Sequence, residues 1–307
     1  MTNSQDIVTL QNELLQHVPY NNPLFQCYAT NAFFPSNNNY YITEHWHDDL
    51  EFIYINNGQL EFSVNGNTFI LNENEGVLVN SKRIHSNHTI DNKSCGFYCA
   101  IMHPDLVCSN KYIEQKFLKP LSSLNSFDYL ILRKDDWTKD IIDELTNLFE
   151  KANPKTIELE ILEASYRICR ILFNNMEFVE TPNIQTDHYI TNFKSMILFI
   201  QDNYMNKISL DEISYAGNVG KTLCAKIFKK YTSKTPGDYL IYYRIQKSIE
   251  LLTTTSLSTT EISFSTGFSS ASHFTKTFRT LMGYTPLQYR NNPRNNFEKY
   301  CLIPEKK

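Results

Sequence analysis

The sequence lacks the features that would place it in a membrane or outside the cell. No run of about 18 apolar residues is present, so we expect no helix that spans a membrane. The first residues, MTNSQDIVTLQ, do not combine a basic stretch with an apolar one, so we expect no secretory signal. The seven cysteines form no CxxC pair, which favours buried, reduced thiols and a cytoplasmic location.

Signatures of common enzyme classes are missing as well. The chain has no P-loop, no GxGxxG motif and no recognisable pairing of a nucleophile with a base. The sequence therefore predicts a protein that is not an enzyme, with no catalytic residue and no cofactor.

What the sequence does contain is an uneven distribution of charge. The 307 residues carry a formal net charge of −4, but residues 1–185 hold 13 Lys and Arg against 24 Asp and Glu. Residues 186–307 reverse that balance, with 16 Lys and Arg against 9 Asp and Glu. Such asymmetry indicates two parts with different tasks, and the basic part suits a polyanionic partner.

The basic part contains an internal repeat. Residues 209–214 (SLDEIS) match residues 258–263 (STTEIS), and each copy begins with the Ser-x-x-Glu pattern of a helix capping box. Further along, Thr235-Pro236 matches Thr285-Pro286. Each copy predicts a helix, a tight turn containing glycine and a second helix, which is the helix-turn-helix pattern.

The second helix of each copy has an apolar face and a polar, basic face. The residues predicted to face the core are Cys224, Ile227, Phe228 and Tyr231 in the first copy, and Phe274, Phe278 and Leu281 in the second. The opposite stripes are Thr222, Lys226 and Lys229, and Ser272, Lys276 and Arg279. One such stripe alone would indicate a solvated helix face. The same stripe in both copies favours two helices that enter the major groove of DNA.

The stretch 261–290, EISFSTGFSSASHFTKTFRTLMGYTPLQYR, resembles the DNA-binding domain of the AraC/XylS transcription regulators of bacteria. The resemblance extends to residues 239–252, which correspond to the helix that joins the two units. It implies that both recognition helices of one chain enter successive major grooves of double-stranded DNA. The residues it implies at the DNA are Lys221, Thr222, Lys226, Lys229, Ser270, Ser272, His273, Lys276 and Arg279.

The acidic part has the pattern of a β domain. Residues 41–102 are short apolar and aromatic segments separated by turn residues, which predicts a β-sandwich or barrel. Asn65-Gly66 predicts a type I′ hairpin turn, because both residues tolerate a positive φ.

A cluster of potential ligand-binding residues opens this β region. The segment HWHDDLE at 45–51, with Gly58, Gly76 and His85 behind it, resembles the two motifs of the cupin barrel. Three imidazoles and a carboxylate suit a transition metal, yet regulators with this domain commonly use it as a pocket for a small molecule. We therefore expect no metal, and a sugar or related metabolite as the effector. The predicted effector-binding residues are His45, Trp46, His47, Glu51 and His85.

Together these patterns predict an α+β multidomain protein. An N-terminal cupin-like β-barrel is followed by helices and then by an all-α domain with two helix-turn-helix units. The predicted segments are an arm plus sensor barrel (1–103), a helical dimerisation region (104–180), a linker (181–187) and the DNA-binding domain (188–307). Residues 1–40 are polar, rich in Asn and without periodicity, which predicts that the arm is mostly irregular. Residues 156–178 carry more apolar surface than one core face needs. A partner helix that covers the rest predicts a homodimer, and burial against the β domain is the alternative.

The predicted function is a regulator that binds specific DNA sequences and responds to a small molecule. RNA polymerase is a further candidate partner, and no membrane partner is expected. Two alternatives stay open from the sequence. One is a metal-dependent cupin enzyme fused to a DNA-binding domain, and the other is a DNA-binding dimer that responds to no effector.

Overall fold

The computed structural model describes the chain in segments: residues 18, 20, 24–36, 40–91, 93–123, 126–178, 188–291 and 298–301. They form two compact units, the first ending at residue 178 but including 298–301, and the second spanning 188–291. Within these segments no helix is both long and apolar enough to cross a membrane. The predicted linker, residues 181–187, lies outside the described residues.

Two antiparallel sheets form the first unit. Their strands are β1 (Cys27–Phe34), β2 (Tyr41–His45), β3 (Leu50–Asn57), β4 (Gln59–Val64), β5 (Asn67–Asn72), β6 (Gly76–Val79), β7 (His85–Thr89), β8 (Cys95–Met102), β9 (Tyr129–Leu132) and β10 (Glu298–Cys301). The larger sheet has the order β10-β1-β8-β3-β6-β9, and the smaller has the order β2-β7-β4-β5. The predicted cupin-like β domain is thereby confirmed.

The hairpin between β4 and β5 turns where the sequence predicts it. Asn65 and Gly66 both adopt positive φ values, 47° and 84°. Val64 and Asn67 then pair as the first residues of the ladder. A turn of this handedness matches the twist of the two strands, so the dipeptide fixes their register.

Helices cover one face of the larger sheet. The longer ones are α1 (Lys139–Lys151) and α2 (Ile157–Asn175), and shorter helical pieces precede them at Pro104–Val107, Lys111–Ile113, Glu114–Leu118 and Lys119–Ser122. Leu50 and Phe52 of β3 share one buried core with Leu145 of α1 and Ile161 of α2. Because side chains alternate along a strand, Glu51 lies on the other face of β3, toward the smaller sheet.

Three strands lie where the sequence analysis placed other structure. The arm predicted for residues 1–40 contains β1, whose buried residues pack in the core, so its description as irregular is wrong there. The helical prediction for 104–180 is wrong at β9, which pairs with β6. Residues 298–301 were assigned to the DNA-binding domain, but β10 pairs with β1 and belongs to the first unit. A polar or short strand gives little periodicity, and its place is decided by pairing with distant strands.

The second unit is all helical within its described residues. Its helices are α3 (His188–Asn203), α4 (Leu210–Ala216), α5 (Lys221–Thr232), α6 (Pro236–Thr254), α7 (Thr259–Ser265), α8 (Ala271–Met282) and α9 (Pro286–Arg290). The pairs α4–α5 and α7–α8 are the two predicted helix-turn-helix units, and α6 joins them.

Both tight turns use a left-handed residue at the same place in the repeat. Asn218 (φ 49°) ends the first turn and Gly267 (φ 83°) ends the second. A Cβ atom on Gly267 would overlap the carbonyl oxygen of Tyr204. That carbonyl accepts a 2.8 Å hydrogen bond from Nε of Arg244 in α6, so the second turn fits tightly against the connecting helix.

Candidate DNA interface and effector site

The second helix of each helix-turn-helix unit is fixed by a buried apolar face. Phe274 and Phe278 of α8 are fully buried against Ile245 of α6 and Ile262 of α7. The predicted core residues of α5, namely Cys224, Ile227, Phe228 and Tyr231, are buried as well. Leu281 is the exception, because it is 42% exposed and therefore outside the predicted core.

The opposite faces of the same helices are open to solvent. Thr222, Lys226 and Lys229 on α5 are exposed, as are Ser272, Lys276 and Arg279 on α8. These six residues, here called the outer stripes, occupy the predicted places. A buried face on each helix holds its outer stripe in a defined orientation.

Capping interactions set where the helices begin. Ser258 accepts a hydrogen bond from the backbone N–H of Glu261, and the Glu261 carboxylate accepts a 2.8 Å bond from the backbone N–H of Ser258. The same reciprocal box joins Ser209 and Glu212. Hydrogen bonds from the Ser258 hydroxyl and backbone lower the pKa of Glu261, so the carboxylate is favoured in the box.

Ser270 and Gly220 hold equivalent positions before α8 and α5 but differ in capping. The Ser270 hydroxyl accepts a 3.2 Å hydrogen bond from the backbone N–H of His273, whereas Gly220 has no side chain to cap α5. The structure thus gives Ser270 a structural task besides its predicted place at the DNA.

The basic side chains differ in whether they form hydrogen bonds or ion pairs within the protein. The side chains of Lys226, Lys276 and Arg279 form no hydrogen bond or ion pair with any other described residue. In contrast, Lys221 Nζ lies 2.6 Å from Asp211 Oδ1, and Lys229 Nζ donates to the carbonyl of Ser233. Free cations exchange solvent counterions for phosphate readily, so the first three are the better candidates for DNA contacts.

An open groove of about 720 Å³ runs beside the outer stripe of α8. Ser272, Lys276 and Arg279 line one side, and Thr259 and Thr285 contribute hydroxyl-bearing side chains to the lining. Cations and hydroxyls are the side-chain groups that contact the phosphate backbone most often. These threonines were not predicted from the sequence, although both stand at or beside capping positions.

His273 is exposed and stands edge-on to Phe268, with 5.6 Å between ring centroids. It therefore packs partly on its own domain while one side stays open. A second groove, on the flank of α8 near α6, includes His273 and Lys276 in its lining.

In the first unit, four predicted ligand residues converge between the two sheets. His45 ends β2 and pairs in register with His85 at the start of β7, both in the smaller sheet. Glu51 reaches them from β3 of the larger sheet, and His47 lies just after β2. One ligand atom from each residue lies within 4.8 Å of all the others. We call His45, His47, Glu51 and His85 the His/Glu cluster.

One carboxylate oxygen organises the His/Glu cluster. Glu51 Oε2 lies 3.0 Å from Nε2 of His47 and 2.8 Å from Nε2 of His85. Burial would raise the pKa of Glu51, but the charge of His85 and the hydrogen bonds from both rings outweigh it and hold that pKa well below its ordinary value. The cluster therefore favours an ionised carboxylate in the interior.

Asp49 and Tyr20 extend the polar surroundings of the His/Glu cluster. Asp49 Oδ2 lies 3.6 Å from Nδ1 of His47, and Asp49 Oδ1 accepts a 2.6 Å hydrogen bond from the hydroxyl of Tyr20. Trp46, also predicted as a ligand residue, is buried but offers no metal-ligating atom.

Asn87 and the backbone carbonyl of Arg83, which lies 2.8 Å from Nδ1 of His85, border the His/Glu cluster, and neither was predicted from the sequence. Asn87 lies two residues beyond His85 on β7, and alternation along the strand places it on the same face. It is 1% exposed, and its Oδ1 has no hydrogen-bond partner among the described residues. Asn87 could have been found from its position two residues after His85, on the same face of a predicted strand. Nothing in the sequence marks Arg83 as buried.

Two family models match the chain. The model described as AraC-like ligand binding domain matches residues 32–160, and the one described as Helix-turn-helix domain matches residues 216–292. The first match contains the His/Glu cluster, and the second contains both outer stripes.

Two regulators are similar to the chain in sequence, and one solved structure is similar to it in part. An uncharacterized HTH-type transcriptional regulator, YdeC of Bacillus subtilis, is 30% identical over 284 residues, covering 91% of this chain and 95% of the relative. The Msm operon regulatory protein of Streptococcus mutans is 28% identical over 141 residues, covering 45% of this chain and 50% of the relative. Among solved structures, ToxT of Vibrio cholerae matches with 12% identity and a TM-score of 0.44, covering 86% of this chain and 97% of its own.

The two matched family models and YdeC are those of transcription regulators and not of enzymes. The alternative of a metal-dependent cupin enzyme fused to a DNA-binding domain is therefore not supported. The chain belongs to the AraC family of DNA-binding transcription regulators.

Proposed function

We propose that this regulator binds specific DNA sequences through both outer stripes, and that a small molecule bound beside the His/Glu cluster controls this binding. DNA binding by both outer stripes is supported by one arrangement of residues that occurs in both helix-turn-helix units. In α5 and in α8, a buried aromatic face holds an exposed stripe of hydroxyl and cationic side chains. Such helices suit two successive major grooves on one face of the duplex.

Within each outer stripe, the position of a residue along the helix determines whether we expect it to contact bases or phosphates. Thr222 and Lys226, and Ser272 and Lys276, stand in the first two turns of their helices, which approach the base edges in docked helix-turn-helix units. Arg279 lies in the last turn of α8 and suits a phosphate contact, which positions the helix without specifying a base. Lys221 and Lys229 have partners within the domain and would exchange them for phosphate on binding.

The effector site is supported by polar groups that are buried between the sheets. His45, His47, Glu51 and His85 are each at most 5% exposed, and Asn87 adds a buried amide oxygen without a partner. Buried polar groups are normally hydrogen-bonded, so an unmet oxygen beside a charged cluster favours a polar ligand. The predicted sugar or related metabolite is compatible with this chemistry and stays a prediction.

A homodimer is supported by the outer face of α2. Ile161, Ile168 and Leu172 face the core of the first unit, but Leu159 is 68% exposed and Tyr166 is 46% exposed. Leu159, Leu162 and Tyr166 follow the i, i+3, i+7 spacing of a coiled-coil seam. We call these three residues the α2 seam and propose that a second copy covers it. RNA polymerase remains a predicted partner, and action on chromosomal DNA favours a cytoplasmic location.

The test of the DNA-binding assignment is a DNase I footprint on a fragment recovered by binding selection with the full-length chain. Lys226→Ala and Lys276→Ala should each weaken binding by about 1–3 kcal/mol, or roughly 5- to 150-fold. Neither lysine side chain has a partner among the residues that the structure describes, so thermal stability should not change. Lys155→Ala is the matched control, because Lys155 is exposed and lies in the first unit. Unchanged footprints with both variants would refute the assignment of α5 and α8 as recognition helices.

A further inference from the structure

The two helix-turn-helix units are joined by α6, which packs in the core of both. Tyr239 in its first turn lies edge-on to Phe228 of α5, with 5.7 Å between ring centroids. Ile245 and Leu252, further along α6, are buried in one cluster with Phe274 of α8. Because these contacts lie on different parts of α6, each unit can shift on the helix without the other. A further contact between the units would hold α5 and α8 at one mutual orientation.

Arg244 provides such a contact from the middle of α6. Its Nε donates a 2.8 Å hydrogen bond to the carbonyl oxygen of Tyr204, and its Nη2 donates a 2.8 Å bond to the carbonyl oxygen of Asn206. Both carbonyls lie in the loop between α3 and α4, next to the first helix-turn-helix unit. A guanidinium presents its donors as a rigid planar fork, so the two bonds together hold this loop at one place on α6.

The same guanidinium lies against the tight turn of the second unit. A Cβ atom on Gly267 would lie 2.9 Å from Nε of Arg244 and would overlap the Tyr204 carbonyl. The absence of a side chain at Gly267 therefore lets the turn, the guanidinium and the loop of the first unit meet at one point. We call Tyr204, Asn206, Arg244 and Gly267 the Arg244 junction.

The charge of Arg244 favours a positioning role over a purely stabilising one. Burial lowers the pKa of its guanidinium, and no carboxylate among the described residues compensates that desolvation. An apolar side chain of similar length would pack on α6 without this cost. It would not, however, make two directional bonds to the loop while contacting the turn.

The orientation of α5 relative to α8 determines which DNA sites both helices can read at once. One additional base pair between the two elements of a site moves one element by about 3.4 Å along the duplex and turns it by about 35°. Two recognition helices held at one orientation therefore fit one spacing without strain. Two helices that shift independently accept several spacings.

We infer that Arg244 is a positioning residue that determines the spacing between the two DNA elements that this regulator accepts. It does so through the Arg244 junction, which fixes α5 relative to α8, and not through a contact with a base. The inference rests on the proposed function, since it requires that both α5 and α8 bind DNA. It goes beyond that function because the outer stripes determine which bases are read, but not how far apart the two elements lie.

The experiment measures binding of the full-length chain to a series of duplexes. The first duplex comes from binding selection with the wild-type chain, and the others have one or two base pairs added or removed between its two elements. Fluorescence anisotropy gives the dissociation constant for each duplex. The wild type should bind the selected spacing at least about tenfold more tightly than a spacing changed by one base pair, because a displaced helix loses base contacts.

Arg244→Lys keeps the positive charge but lacks the planar fork that reaches both carbonyls. It should therefore lower the ratio of affinities between the two spacings by about fivefold or more. Circular dichroism verifies that the variant folds, and Arg244→Gln, which keeps an amide donor, takes its place if it does not.

Lys247→Ala is the matched control, because Lys247 also lies on α6 and its ion pair with Glu250 stays within that helix. It should keep the wild-type ratio. A wild-type ratio in Arg244→Lys would overturn the inference, even if binding to every duplex weakened alike, which is what a loss of stability alone would cause. Wild-type protein that binds all spacings equally would overturn it as well.

A measurement without DNA distinguishes a failure of this inference from a failure of the proposed function. Amide hydrogens in residues 203–209 and 264–268 should exchange faster in Arg244→Lys than in Lys247→Ala, because the loop and the turn lose their common contact. Equal exchange in the two variants would overturn the inference. Unchanged footprints with Lys226→Ala and Lys276→Ala would instead refute the assignment of the recognition helices and would leave the exchange result as it is.

Discussion

Replacing Leu159 with lysine tests the proposed dimer, because Leu159 is more exposed than the other residues of the α2 seam. Full burial of a leucine side chain stabilises by about 1.5–3 kcal/mol. Leu159 is 68% exposed, so a partner can bury about two-thirds of that amount, or about 1–2 kcal/mol per chain. A two-fold interface contains the residue twice, which raises the loss to about 2–4 kcal/mol. The dimer dissociation constant should increase roughly 30- to 700-fold.

Sedimentation equilibrium over a range of protein concentrations measures that constant. Ile70→Lys is the control, because Ile70 is 51% exposed on β5 of the same unit and lies outside the α2 seam. Lysine is a good helix former, so Leu159→Lys should leave α2 intact, and circular dichroism verifies this. A dissociation constant within twofold of the wild-type value would refute the assignment of the α2 seam to the dimer interface.

Two other predictions concern stability. Gly267→Ala should destabilise the second unit by at least about 2 kcal/mol, because alanine at a φ of 83° is strained and its Cβ overlaps the Tyr204 carbonyl. Gly237→Ala, in the open first turn of α6, should instead stabilise by about 0.4–1 kcal/mol, and thermal melts that move in the same direction would contradict this reasoning. The pKa of Glu51 is lowered in the folded state, so its ionised carboxylate adds to the free energy of unfolding. This contribution is fully present above the ordinary carboxylate range and is lost as the pH falls through the lowered pKa. Melting temperature should therefore fall less steeply with acid in Glu51→Gln than in the wild type, and parallel curves would argue against an ionised Glu51.

The helix-turn-helix units were predictable because their signals are local. Capping boxes at Ser209 and Ser258 and the apolar spacing of Phe274 and Phe278 act within one or two helical turns. The spacing of apolar residues does not, however, determine whether a residue in the last turn of a helix is buried. Leu281 continues the predicted apolar face of α8 but stays 42% exposed, and the neighbouring Met282 packs against the core instead.

The first unit was predictable in type but not in its boundaries. The HxHxxxE spacing predicted that His45, His47 and Glu51 belong to one site. Their convergence with His85 depends on the pairing of β2 with β7. β10 lies far along the chain from β1, its partner, so local pattern could not place it. The buried Arg83 shows the same limit, because only the tertiary fold brings its partners Ser123, Phe127 and Asp128 near it.

The most direct test of the central claim is a genome-wide map of the DNA bound by the full-length chain, compared with the Lys226→Ala/Lys276→Ala double variant. Two recognition helices in successive major grooves predict bound sites that share a motif with two elements about 10 base pairs apart. The double variant should lose those sites. Bound fragments that share no sequence motif, or sites that persist unchanged in the double variant, would contradict sequence-specific recognition by α5 and α8.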